Sequence, residues 1–172
     1  LLTETEIGIA VRKGNPKQVK TLADLAQPGL KVGLCNAEQS TLGYMTAGML
    51  RSSGLEDSIR GNVVVEVPTA DFLVNQMRAG ALDAAIVYRV NYQLQEEHLD
   101  LLPISHEGAR AVQPFAVRSD SRHKQLALRL LDSFKRHRER FTGAGFKWLG
   151  DQPPVKSAEI EVPQWLRKPP DK

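Results

Sequence analysis

The 172-residue chain is 41% hydrophobic and 25% charged, with a formal net charge of +3, a balance suited to one soluble domain or two small lobes around a real core. No apolar run approaches the roughly 20 residues needed to span a bilayer, so no membrane insertion is expected, and the charge is too mild to single out nucleic acid as a partner. Cys35 is the one cysteine, so no intrachain disulfide can form, which fits a cytosolic chain and a bridge-free exported one equally.

The chain opens LLTETEIG, with neither an initiator Met nor a charged-then-apolar leader, and this points to a processed or truncated product. Ile7 to Arg12 (IGIAVR) is β-branched and apolar and reads as a strand that the turn KGNP ends. Thr21 then caps a short helix with Asp24 in its first turn. Lys31 to Leu34 reads as a second strand, followed by the polar loop Cys35 to Thr41. Leu42 to Ser53 reads as a helix, with Leu42, Met45 and Met49 on one face and Gly54 as its stop. Asn62 to Val67 (NVVVEV) is a third strand, closed by Pro68. Thr69 caps the next helix, Asp71 places negative charge near its positive end, and Phe72, Leu73 and Met77 are expected to be buried before the helix stops at Gly80.

Asp83 to Val87 reads as the fourth strand, in which Ala84-Ala85-Ile86-Val87 is a continuous apolar run of the kind found in parallel strands covered on both faces. Tyr88 stands at its carboxyl end, where ligands of open α/β sheets bind. A polar helical stretch from Asn91 to His98 leads to strands at Leu101 to Ile104 and Val112 to Val117. The alternation predicts an α/β fold with a mainly parallel sheet flanked by helices. Ser121 to Arg140 reads as one long helix, with Ala127, Leu130, Leu131 and Phe134 on one face and a basic opposite face. The tail from Asp151 carries five prolines, Pro153, Pro154, Pro163, Pro169 and Pro170. It is expected to be extended and pinned by Trp165.

The commonest catalytic signatures (GxSxG, a P-loop, GxGxxG) are missing. His98, His106, His123 and His137 lack partners at ligand spacing, so neither a metal nor another cofactor is expected. Ser105, His106 and Glu107 are consecutive and point to different sides, so they cannot form a triad. The basic face at residues 122–140 lacks the interleaved aromatics that stack on bases and reads as solvated. Cys35 has no basic neighbour to lower its pKa and reads as structural.

Two features converge. The loop Gln39-Ser40-Thr41 feeds the helix at Leu42, and Pro68-Thr69-Ala70 feeds the helix at Phe72. Each presents free backbone N–H groups and a positive dipole end beyond a parallel strand. With the Tyr88 hydroxyl these make a donor-only site, which suits a fully ionised oxyanion such as sulfate or molybdate. A carboxylate acceptor in the same place would instead suit a protonated phosphate.

The runs IGIAVRKGNPKQVKTLADLAQPGLKVGL, STLGYMTAGML, VPTADFLVNQMRAGALDAAIVYR and QPFAVRSDS, with the order kept to about residue 148, resemble the periplasmic molybdate/tungstate-binding (ModA-type) proteins, solute receptors of ABC importers in the type II periplasmic-binding-protein superfamily. The resemblance implies two α/β lobes joined by hinge strands at 7–12 and 112–117. Residues 1–118 would form the second lobe with these strands, 119–150 the C-terminal part of an incomplete first lobe, and 151–172 a Pro-rich tail. It implies a binding protein, not an enzyme, with an oxyanion in the cleft held by residues of Ser40, Thr41 and Leu42, of Ala70, Asp71 and Phe72, and by the Tyr88 hydroxyl. Backbone donation falls to Leu42 and Phe72.

Where the family reads Pro-Ala-Gly, this chain reads Thr41-Leu42-Gly43, which preserves backbone donation beside a bulkier side chain. Asp71 has two readings: turned outward it caps its helix, and turned inward it repels a dianion or becomes a ligand. The implied partners are ABC permease subunits and the N-terminal part of the first lobe, and the implied location is periplasmic. The isolated helix at 121–141 would then expose its apolar face. An effector-sensing domain of a transcription regulator, or a receptor for an organic or metal-chelate ligand, would share the architecture.

Overall fold

The computed structural model describes residues 1–166 and divides them into two compact units. Unit 2 comprises Glu6–Arg110 together with the tail from Val162, and unit 1 comprises Leu1–Thr5 with Ala111–Glu161. Pro169 and Pro170 lie outside the described residues. In unit 2 the strands β1 (Thr3–Arg12), β2 (Val32–Cys35), β3 (Val63–Val67), β4 (Ala84–Tyr88) and β5 (Leu99–Pro103) form a mixed sheet in the order β3-β2-β4-β1-β5. Strand β2 is parallel to β3 and β4, whereas β1 runs antiparallel to both β4 and β5. The parallel character expected from the alternation is therefore confined to three strands. The alternation constrains only strands joined by a crossover helix, and β2, β3 and β4 are the strands joined by α1 and α3.

Helices α1 (Thr41–Ser52) and α3 (Ala70–Arg78) link the parallel strands, with the five-residue helix α2 (Glu56–Arg60) after α1. Both long helices end in the same way. Gly54 and Gly80 adopt φ of +69° and +73°, and the N–H of the following residue reaches back to Leu50 and Gln76 respectively. This six-to-one closure satisfies a carbonyl that would otherwise be orphaned. The core lies between the sheet and these helices, where Ile9, Leu42, Met49, Leu73, Met77 and Ile86 are fully buried. At the start of β4, the buried Asp83 accepts from Arg12 at 3.0 Å and from the Lys31 N–H at 3.1 Å.

Phe72 differs from expectation: it is 55% exposed, while Leu73, Val74 and Met77 are buried. Three consecutive residues span 200° of a helix, so Phe72 cannot share the inward face with Leu73 and Val74. Strand β6 (Arg110–Gln113) is shorter than expected because Pro114 supplies no N–H and restricts the residue before it.

In unit 1 the expected long helix is broken into α5 (Lys124–Arg136) and α6 (Arg138–Gly143). The break falls at His137, whose Nδ1 meets the Ser133 carbonyl at 2.9 Å. Phe134, Phe141 and Trp148 then form a row with ring centroids 5.5 and 5.4 Å apart. The apolar face of α5 is only partly covered: no residue of the helix is buried, Ala127, Leu131 and Phe134 are half-buried with Phe134 against Phe115, and Leu130 is exposed. A short strand, β7 (Lys147–Trp148), pairs with Thr3 and Glu4.

The tail is pinned as expected. In the turn Gln164–Leu166, Trp165 packs over Gly48 and Gly108 and edge-on to His106 at 5.5 Å. The Tyr44 hydroxyl donates to the Leu166 carbonyl at 2.7 Å. His106 is itself fixed, since Gly108 N–H donates to its Nδ1 at 2.8 Å and its Nε2 lies 2.9 Å from the Ser52 hydroxyl.

Candidate functional site

Three strands of unit 2 end at the same edge of the sheet, at Cys35, Val67 and Tyr88, and each is followed by a helix start. At α1, Ser40 is the N-cap and its hydroxyl accepts from the Gly43 N–H at 3.4 Å. The first turn of this helix packs tightly onto the end of β2, since a Cβ on Gly43 would overlap the Asn36 and Cys35 carbonyls. The Thr41 and Leu42 N–H groups have no hydrogen-bond partner among the described residues. The Leu42 side chain points into the core, so this residue faces the site through its backbone alone.

At α3, Thr69 is the N-cap without a side-chain bond. The Ala70 and Asp71 N–H groups are free among the described residues, whereas the Phe72 N–H is engaged with the Thr69 carbonyl at 3.2 Å. The Ala70 methyl is buried and the Phe72 ring is exposed. Asp71 is exposed, and one of its carboxylate oxygens accepts from the Asn91 amide at 2.8 Å. Asn91 belongs to α4 (Arg89–Gln93), whose N-cap is Tyr88, so this bond ties the first turn of α3 to the end of β4.

Tyr88 is half-buried, and its hydroxyl has no protein partner among the described residues. Burial pushes the phenol pKa up, with a smaller push from Cys35, so the hydroxyl remains a proton donor at neutral pH. Cys35 is the residue that sequence reasoning passed over as merely structural. Burial raises its thiol pKa, the Ser40 hydroxyl opposes this through a hydrogen bond, and the Asp71 carboxylate raises it further. Ser40, Asp71 and Tyr88, far apart in sequence, thus gather around one buried, protonated thiol. No local charge in the sequence marks Cys35 for this position; its place at the end of the central parallel strand does.

Chemically, the edge offers four backbone N–H groups and a phenolic hydroxyl without hydrogen-bond partners among the described residues. The nearest basic side chain in sequence, Arg89, is paired with Glu6 at 2.7 Å. Helix starts of this kind bind anions through N–H groups and the positive dipole end. A protonated, buried thiol is neither a good nucleophile nor a metal ligand. No group of three or more His, Cys, Asp or Glu suited to a metal occurs among the described residues. A separate cavity of about 100 Å³ lies behind Cys35, lined by Gly43, Thr46, Leu50, Ile59 and Val63.

Comparison with known proteins gives consistent results. The sequence model of the bacterial extracellular solute-binding protein family matches residues 2–147. A Haemophilus influenzae protein named only as a binding protein is 25% identical over 140 residues; the match covers 80% of this chain and 57% of that protein. Campylobacter jejuni PEB3, in its L-phospholactate-bound crystal structure, superposes with a TM-score of 0.65 at 20% identity, covering 86% of this chain and 67% of that one. The substrate-binding domain of a molybdenum ABC transporter from Clostridium difficile gives a TM-score of 0.63 at 15% identity, covering 86% and 65%. The chain thus spans little more than half the length of its curated relative, and the two crystal structures share its fold, a central sheet flanked by helices. Among the described residues, no helix is long and apolar enough to cross a membrane.

Proposed function

We propose, from the premise that this chain belongs to the bacterial extracellular solute-binding protein family, that it is the solute-recognition part of an ABC importer and binds a small tetrahedral oxyanion. The observation that carries this reading is the set of free donors at one sheet edge: the N–H groups of Thr41 and Leu42 on α1, those of Ala70 and Asp71 on α3, and the Tyr88 hydroxyl. Backbone donors at two helix starts suit a compact anion because they converge without flexible side chains and cost little reorganisation. In this reading Ser40 and Gly43 hold the first turn of α1 in place, and Leu42 and Ala70 serve through backbone only. The side chain of Phe72 takes no part.

Two comparisons support the anion class without fixing its identity. L-phospholactate, bound in the PEB3 structure, carries a phosphate group, and a molybdenum transporter supplies the second neighbour. Molybdate, tungstate and sulfate are therefore the first ligands to test, with ABC permease subunits as the partners that receive the solute and an extracytoplasmic location as the setting. The protein acts as a receptor and not as an enzyme.

The direct test is calorimetric titration, together with thermal shift, using molybdate, tungstate, sulfate and phosphate. A ligand at a hundredfold excess over its Kd stabilises the folded state by about 2.7 kcal/mol. Tyr88→Phe removes one hydrogen bond to a charged group and should weaken binding about tenfold or more while leaving the melting temperature of the free protein unchanged. If none of the four anions stabilises the protein at saturating concentration, the oxyanion reading is lost.

A further inference from the structure

The tail grips unit 2 through two residues. From Ala158 to Gln164 the chain is exposed, whereas Trp165 and Leu166 are half-buried, and the Leu166 N–H closes the turn on the Pro163 carbonyl at 3.0 Å. The indole lies between α1 and the loop 104–109, and both surfaces meet it through glycine. A Cβ on Gly48 would stand 3.2 Å from the ring, and one on Gly108 only 2.7 Å from it. Gly108 does not adopt a positive φ, so its lack of a side chain serves the indole and not the backbone. Loop and helix are joined beside the ring. The Gly108 N–H donates to His106 Nδ1 at 2.8 Å, which leaves Nε2 to donate to the Ser52 hydroxyl at 2.9 Å. That hydroxyl donates in turn to the Met49 carbonyl at 3.1 Å.

A second contact lies one turn nearer the start of α1. The Tyr44 hydroxyl donates to the Leu166 carbonyl at 2.7 Å, while the Tyr44 N–H closes the first turn of the helix on the Ser40 carbonyl at 2.9 Å. Tyr44 and Gly48 are four residues apart and share a helix face. The tail therefore holds α1 at two points, and the first of them belongs to the turn that carries the Thr41 and Leu42 N–H groups.

We propose that Tyr44 and Trp165 are positioning residues of the oxyanion site: the docked tail fixes the first turn of α1, so docking of the tail and binding of the anion strengthen each other. The inference rests on the oxyanion reading above. Backbone donors hold an anion well when they are already aimed, and lose affinity when binding must first order them. Without the tail, α1 keeps its core contacts through Leu42, Met45 and Met49 but loses the outer hold at Tyr44 and Gly48. By linkage the effect runs both ways.

The experiment is isothermal titration of the whole chain with molybdate, tungstate, sulfate and phosphate, continued with the anion that binds most tightly. The variants are Trp165→Ala, Gly108→Ala, the two combined, Trp165→Phe and Tyr44→Phe, each also melted without anion. Trp165→Ala empties the seat and Gly108→Ala blocks it, so each should weaken binding about fivefold. The double variant should be no weaker than either alone, because both remove one and the same contact. Trp165→Phe keeps an aromatic ring and should recover part of the loss, and Tyr44→Phe should show a smaller loss. Lower melting temperatures with an unchanged Kd would make the tail merely structural and overturn the proposal, as would losses that add in the double variant. If Trp165→Ala does not fold, Tyr44→Phe decides alone, since it removes a single hydroxyl; an unchanged Kd there overturns the proposal. Anion binding that ignores the tail leaves the oxyanion reading standing, whereas failure of all four anions to bind the unaltered protein removes that reading and the coupling with it.

Discussion

Unit 2 and helix α5 of unit 1 follow similar apolar patterns with opposite outcomes. The leucines of α1 and α3, Leu42, Leu50 and Leu73, are buried against the sheet, whereas Leu126, Leu128 and Leu130 of α5 stand in the open. Periodicity states which face of a helix is to be covered; the cover itself comes from another element. In unit 2 the sheet supplies it, and there burial becomes stability. On α5 the cover is partial: Phe134 meets Phe115 and Phe141, while Leu126, Leu128 and Leu130 gain little from burial.

Three substitutions would break or sharpen this contrast. The largest effect belongs to Leu73→Ala, which truncates a fully buried side chain and should cost about 2 to 5 kcal/mol in urea denaturation. A loss below about 1 kcal/mol would show the core of unit 2 to be looser than its burial implies. Gly80→Ala tests the same unit without touching its core: the position is exposed, with open space around it, and only its φ of +73° is at stake. About 1 kcal/mol should be lost, from backbone strain alone. The double change Leu126→Gln and Leu130→Gln on α5 should shift stability by less than about 0.5 kcal/mol and reduce self-association in light scattering. A clear destabilisation would mean that the face is covered in solution.

Much of unit 2 was legible because its signals are local. Ser40 and Gly54 bracket α1, Thr69 and Gly80 bracket α3, and the unbroken apolar run before Tyr88 marks β4. What escaped is set by contacts distant in sequence. The antiparallel insertion of β1 between β4 and β5 depends on pairings such as Ile9 with Ile86 and with Leu102, which no periodicity announces. Helix α2 has five residues, too few for a helical period to emerge. The break at His137 has neither Gly nor Pro to signal it. At the candidate site, the helix starts and Tyr88 could be read from capping residues and strand ends. The position of Cys35 at their centre, the bond that orients Asp71 and the engagement of the Phe72 N–H depend on how β2, β3 and β4 are ordered side by side.

The seat of Trp165 has a bearing on how the molecule is made. Unit 2 is interrupted in sequence: residues 111–161 belong to unit 1, and only afterwards does the chain return to lay the indole across Gly48 and Gly108. During synthesis, α1 and the loop at His106 emerge long before the segment that covers them. The final packing of unit 2 must therefore wait until residues 111–161 have been made. The entropy of closing that long loop grows only with the logarithm of its length, and prior collapse of the intervening residues shortens the effective loop. The order of events is thus written into the connectivity. The sheet and its helices can assemble before residues 162–166 are made, and in a Trp148→Phe protein the fluorescence of Trp165 would report its docking on α1.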